Sequence, residues 1–305
     1  MTIWTNVLAA ASGSLLICCT AAAPEPGSPP ERETTVQSGT VDAPPPAPPS
    51  PLPNGFDLPG AGGSTAPLPA TGTGRIILAA AGTKLLELTS DAPSKVAVRD
   101  VSGLAPGERL VGLDFRKNGT LYAVGTTSRL FSVAPASATA SAVSYAPFAE
   151  LLDGTAFGFG FDPVSDLARV TSNTSENIRV EADTGTVTNV DGTVHYVAGD
   201  VNVEAVPGVT AVAYAENGKG YAIDVTTGSL ARILDSYSGA IQTIGTLGVN
   251  VTDVAGFDIA GNDAFAALRV GAVTSLYAVD LATGKVVSMG MIGDGGPVTG
   301  LAIQP

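Results

Sequence analysis

The chain has one histidine, one tryptophan and two cysteines in 305 residues, and its 15 Lys and Arg face 28 Asp and Glu. A single histidine rules out His-cluster metal sites and leaves any Ser-His-Asp relay dependent on one residue, His195. The basic deficit, a formal −13 at pH 7, removes the positive footprint with which a nucleic-acid partner releases counterions. Charged residues reach 14 %, against ~25 % in an ordinary soluble domain, and the 37 glycines lean toward strands and turns. Helical bundles and coiled coils are therefore disfavoured. No Gly-x-Ser-x-Gly elbow, phosphate-binding P-loop or EF-hand loop occurs. What is present is apolar: 45 % hydrophobic side chains suffice for one large domain or two small ones.

The two cysteines are neighbours, Cys18 and Cys19, so the rest of the chain is expected to fold without disulfides. They follow an apolar run, residues 7–17, that has the length of a signal-peptide core and is too short and too broken by Ser and Gly to span a membrane comfortably. Leu16-Ile17-Cys18-Cys19 resembles a bacterial lipobox, in which a Leu stands three residues before a cysteine that is diacylated before cleavage. Cys19 is the favoured lipid anchor, because Cys18 is small enough to precede a cut and Ile17 is not. Thr20 follows rather than Asp, and by resemblance to Gram-negative lipoproteins this implies the outer membrane. A plain secretory signal cut near Ala21 to Ala23, or an uncleaved anchor, are the alternatives.

Residues 21–74 hold 14 of the 22 prolines and almost no bulky apolar side chains. Such a stretch cannot bury a core, and proline-dense chain extends as a semi-rigid spacer at ~3.1 Å per residue. The expected organisation is a signal segment at 1–19, a Pro-rich disordered tether at 20–74 and a folded domain at 75–305.

The domain is repetitive. One copy reads Leu110-Val111-Gly112-Leu113-Asp114-Phe115, then Leu121-Tyr122-Ala123-Val124, Arg129-Leu130-Phe131-Ser132-Val133 and Ser141-Ala142-Val143. Others begin at Gly158, Ala211 and Gly256, each with four short alternating segments between turn signals such as Asn118-Gly119, Asn217-Gly218 and Thr283-Gly284. The ends are incomplete copies. Residues 76–98 supply the second, third and fourth strands without a first, and residues 298–303 supply a first strand alone. Unit length and complementary ends predict an all-β fold, a β-propeller of about five four-stranded blades, its ring closed by the C-terminal strand pairing with N-terminal strands. The long interval at 190–207 is expected to be an inserted loop rather than a sixth blade.

Taken together, Gly154-Thr155-Ala156-Phe157-Gly158-Phe159-Gly160-Phe161-Asp162-Pro163, Arg169-Val170, Asn177-Ile178-Arg179-Val180 and Ala198-Gly199-Asp200 resemble the signature of a domain-of-unknown-function family of secreted bacterial β-propeller proteins. The resemblance spans roughly residues 75–305 and implies the fold, but it supplies no activity. Family members usually carry a basic residue just after the position of Asp166, where this chain has Leu167.

Few residues are candidates for chemistry. Asp114 and Asp258 hold the same place in two copies, so facing carboxylates near a central channel could bind Ca²⁺ or work as a glycosidase pair, with Asp162 nearby. Against this stands the plainer role of accepting backbone amides between blades. Arg169 and Arg179 fall on adjacent strands and could grip an anion, or pair with Asp162, Asp166 or Glu181. His195, Tyr196 and Asp200 lie together in the insertion, where a surface histidine is the bland reading. The expected function is a surface-tethered lipoprotein propeller that binds a protein or glycan, held at the membrane by its lipid anchor. The rivals are an extracytoplasmic hydrolase or lyase using channel carboxylates, with or without Ca²⁺, and a purely structural envelope protein.

Overall fold

The computed structural model describes residues 74–305; the signal, the lipid-anchor assignment at Cys19 and the Pro-rich tether lie outside these residues. Twenty-one strands form five sheets, and no helix occurs among the described residues. Blade one takes β1 (Ile76–Ala81), β2 (Lys84–Thr89) and β3 (Ala97–Asp100) from the start of the domain. Blade two is β4 (Leu110–Phe115), β5 (Leu121–Gly125), β6 (Arg129–Ala134) and β7 (Thr139–Ala142). Blade three is β8 (Phe157–Asp162), β9 (Leu167–Ser172), β10 (Asn177–Glu181) and β11 (Val187–Val190). After a short β12 (His195–Tyr196), blade four is β13 (Val209–Tyr214), β14 (Gly220–Asp224), β15 (Ser229–Asp235) and β16 (Ala240–Thr246). Blade five is β17 (Asp253–Ala260), β18 (Asp263–Val270), β19 (Val273–Val279) and β20 (Val286–Met291).

The last strand, β21 (Gly300–Ile303), is the inner strand that blade one lacks: it pairs antiparallel with β1, Ile77 opposite Ile303 and Ala80 opposite Gly300. The inner strands β4, β8, β13, β17 and β21 are neighbours in that order, and β21 returns to β4. Closure leaves no blade without a partner on either side, which disposes of the open faces a row of sheets would present. The insertion adds β12 in parallel to the outer strand β16, His195 opposite Ala240, so blade four has a fifth strand and the ring has no sixth blade.

Small residues set the ring's diameter. A Cβ on Gly112 would lie 2.5 Å from that of Phe159, and one on Gly300 would lie 2.8 Å from the Leu113 nitrogen. The glycine repeated near the start of four of the five inner strands, with Ala211 in its place in β13, thus marks a close approach of adjacent strands. Alternation along each strand then sends side chains to the two neighbouring junctions. In blade one, Ile77 and Ala79 join the blade-five cluster with Phe265 and Leu276, while Leu78 and Ala80 join Leu113 and Phe131 of blade two. Blade three sends Ala168, Val170, Ile178 and Val180 toward Tyr122, Val124 and Leu130 of blade two. Its other face is different.

Candidate functional site

That other face of blade three carries Arg169 and Thr171 on β9 and Asn177 and Arg179 on β10, all buried in the junction with blade four. Arg169 opposes Arg179 across the β9–β10 ladder, so strand register alone puts two guanidinium groups side by side. The two arginines, read from the sequence as lying on adjacent strands, share one face of the blade. Their partner is neither Asp162, Asp166 nor Glu181 but Asp191, the first residue of the insertion. Arg179 Nε and Nη2 donate to the two Asp191 oxygens at 2.8 Å each, and Arg169 Nη1 donates to Oδ2 at 3.1 Å. The three side chains are 10 %, 5 % and 3 % exposed, so this fork is shielded from the water that weakens surface pairs.

The seam is knitted further. Arg169 Nε donates to the Tyr214 hydroxyl at 2.7 Å, and Nη1 also donates to Asn177 Oδ1 and to the Ser236 carbonyl. Asn177 Nδ2 donates to the carbonyls of Gly192 and Ser236 at 3.0 and 3.1 Å. The Arg179 guanidinium lies 4.3 Å from the centre of the Tyr237 ring. Burial works against the Arg179 cation, yet Asp191 and Tyr237 outweigh it and hold its pKa above the ordinary value. Burial lifts the Tyr214 phenol, with Arg169 opposing. Between the blades lies a cavity of about 10 Å³, lined by Arg169, Thr171, Asn177 and Ser236 with Val194, Val212 and Ile241.

The insertion is pinned at three further points. Asp200, from the Ala198-Gly199-Asp200 motif, accepts from the Thr243 amide and hydroxyl at 2.7 Å each. Tyr196 donates its hydroxyl at 2.7 Å to buried Asp224, which also accepts from the Gly208 and Thr226 amides. Val194 and Tyr196 pack on Val209, Val212 and Ile241. His195 stays exposed, its Nδ1 2.9 Å from the Thr193 carbonyl oxygen, so the three insertion residues do not converge on one site.

Asp114 and Asp258 do sit at the channel, each between two inner strands. Asp114 accepts from the Phe115 and Phe161 amides at 2.7 Å, and Asp258 from those of Ile259 and Ile303 at 2.6 and 2.7 Å. Two carboxylates thereby serve four amides on inner strands of four blades. Cα atoms of β4 and β17 come within 8 Å across the ring, leaving little room between them. Burial raises both pKa values, Asp258 to about 7, and the Asp258 charge pushes Asp114 up further. Each of the four oxygens accepts one backbone amide. Asp162 does not join them: it accepts from the Val164 amide and Ser165 hydroxyl within its own turn. No group of three or more His, Cys, Asp or Glu side chains is placed to hold a metal among the described residues.

One residue the sequence reading passed over is Arg116. It follows the inner strand of blade two and donates to both Asp166 oxygens, at 3.0 and 2.7 Å, and to Asp183. Its hydrogen bonds hold both carboxyls below their usual range. A cation thus reaches Asp166 from the neighbouring blade, although Leu167 is the next residue in the chain.

The closed ring of five sheets, with the C-terminal strand completing the first, makes this a five-bladed β-propeller. The chain belongs to the domain-of-unknown-function family DUF4394, which matches residues 84–302. No curated protein matches it. Among solved structures, a chain of the nidogen/laminin complex is similar at 12 % identity, with 76 % of this chain and 99 % of that one covered and a TM-score of 0.49. A protein of unknown function from Bacteroides caccae is similar at 14 % identity, covering 75 % and 99 %, with a TM-score of 0.46. Virginiamycin B lyase from Staphylococcus aureus is similar at 12 % identity, covering 67 % and 65 %, with a TM-score of 0.40. Likenesses this remote say nothing of activity.

Proposed function

We propose that the propeller is a binding module that presents the loops at one end of its ring to a protein partner, and that Cys19 tethers it by lipid to the outer membrane. The observation that carries the binding reading is exposed apolar side chains on loops that are themselves fixed. Antiparallel blades place all blade-to-blade connections at one end, and the two longest are 143–156 and 191–208. Tyr145 is 98 % exposed, and Val201 and Val206 are 84 % and 74 % exposed. Yet Phe148 is buried and its amide donates to Ser128 at 2.7 Å, while Asp200 and Tyr196 hold the second loop. Apolar groups held in one conformation bind with little ordering cost. The channel carboxylates, occupied by amides, favour this over hydrolase or lyase chemistry.

The reading is tested with residues 74–305, which contain all five sheets and their cores. Saturable binding to envelope fractions of the source cells is expected for the wild type and lost in a Val201→Asp, Val206→Asp double variant of unchanged thermal midpoint. Equal binding by both would remove the loop reading. The tether is tested separately in the full chain: labelled palmitate should enter the wild type and fail to enter Cys19→Ala.

A further inference from the structure

We infer that the seam between blades three and four holds one small monovalent anion, with chloride as its natural occupant. Three observations converge. Two guanidinium groups and one carboxylate are buried there, so two positive charges and one negative leave +1. The Asp191 oxygens are already committed, Oδ1 to Arg179 and Oδ2 to both arginines. Asp235 feels Arg169 from outside, but it is fully exposed and makes no ion pair with it among the described residues.

The second observation is an unused donor. Thr171 is 2 % exposed, lines the cavity, and its hydroxyl has no hydrogen-bond partner. An orphaned buried hydroxyl is costly unless something meets it. Arg169 Nη2 makes no hydrogen bond among the described residues, since Tyr214 engages Nε and the other partners engage Nη1, but unlike the Thr171 hydroxyl it is not a buried orphan.

The third is size and polarity. A cavity of about 10 Å³ has room for one water-sized species, and valine and isoleucine side chains wall much of it. A water needs acceptors for its own hydrogens, and the Ser236 carbonyl already accepts from Arg169 and Asn177. The unmet Thr171 hydroxyl can donate to an anion or accept from a water, and what lies beside it is a surplus positive charge. A buried surplus of positive charge favours a small anion over a neutral water.

Thermal midpoints in sodium chloride and in sodium gluconate at one ionic strength test this, with wild type beside Thr171→Val. A ligand that binds only the folded state raises the midpoint with its concentration. The expected result is a wild-type midpoint higher in chloride than in gluconate by about 3 °C, the scale of a 1 kcal/mol effect in a domain of this size. Thr171→Val should melt above wild type in gluconate, because no hydroxyl is stranded, and gain nothing from chloride. Crystals soaked in bromide should carry an anomalous peak within hydrogen-bond reach of Thr171 Oγ1. Equal wild-type midpoints in the two salts, or a chloride gain retained by Thr171→Val, would overturn the site and leave a water in the cavity.

Discussion

Blade three has two faces built from the same strands, and they solve the packing problem in opposite ways. Toward blade two, Ala168, Val170, Ile178 and Val180 meet an apolar wall whose stability needs only volume and exclusion of water. Toward blade four, the intervening residues Arg169, Thr171, Asn177 and Arg179 require a partner of the right charge at the right distance. The apolar junction is spanned by the connection 143–156 and takes no charged partner from it, whereas the polar one takes its countercharge from Asp191, the residue that follows β11. What a polar seam demands is a countercharge in register, and the segment that opens with Asp191 has that structural duty first.

The sharpest way to break this contrast is a near-isosteric change on each face. Asp191→Asn keeps the shape but leaves two buried guanidinium groups without a countercharge, and should cost about 3–5 kcal/mol. Ile178→Leu on the opposite face conserves volume and should cost less than about 1.5 kcal/mol. Denaturant midpoints of the two variants measure the difference, and similar losses would mean that the seam is no more exacting than the apolar junction.

A smaller effect concerns the channel. A carboxyl whose pKa rises on folding binds its proton more tightly in the folded state, so its contribution is full below about pH 4 and fades as pH climbs through the folded value. For Asp258 that value is about 7, and half-buried Glu176, raised to about 7 chiefly by burial, adds to the same slope. The wild-type thermal midpoint should fall between pH 5 and pH 8. Asp114→Asn forfeits one amide acceptor, about 1–3 kcal/mol at pH 5, and narrows its deficit at pH 8 because a like charge is gone. A deficit that does not change with pH would show that the two carboxylates do not interact. Smallest of all, His195→Ala at the exposed edge of the insertion should shift stability by less than about 0.5 kcal/mol.

Much of the ring was legible in the sequence, because strand alternation and turn residues are local signals. The copies beginning at Gly112, Gly158, Ala211 and Gly256 became the inner strands β4, β8, β13 and β17, and the unmatched ends paired as expected. The shared place of Asp114 and Asp258 also carried through, since equivalent positions in a repeat meet equivalent surroundings. Asp191 was not legible, because a partner choice across a junction has no periodicity. Its one signal was a lone carboxylate at the start of the irregular segment, downstream of two arginines on a single face. Thr171 gave none, for a threonine inside a strand is ordinary until the structure leaves its hydroxyl unmet.

The closure between β1 and β21 also sets a clock. In a chain that folds as it is synthesised, residues 76–100 supply three of the four strands of blade one, and the strand that completes it begins 200 positions after Asp100, at Gly300. At ~5–20 residues per second, that wait is about 10–40 s. Throughout it β1 presents an unpaired edge, the kind of surface that recruits foreign strands. A chain of this design is therefore most vulnerable not when unfolded but when four of its five blades are made, and β21 decides whether the ring shuts upon itself or upon a neighbour.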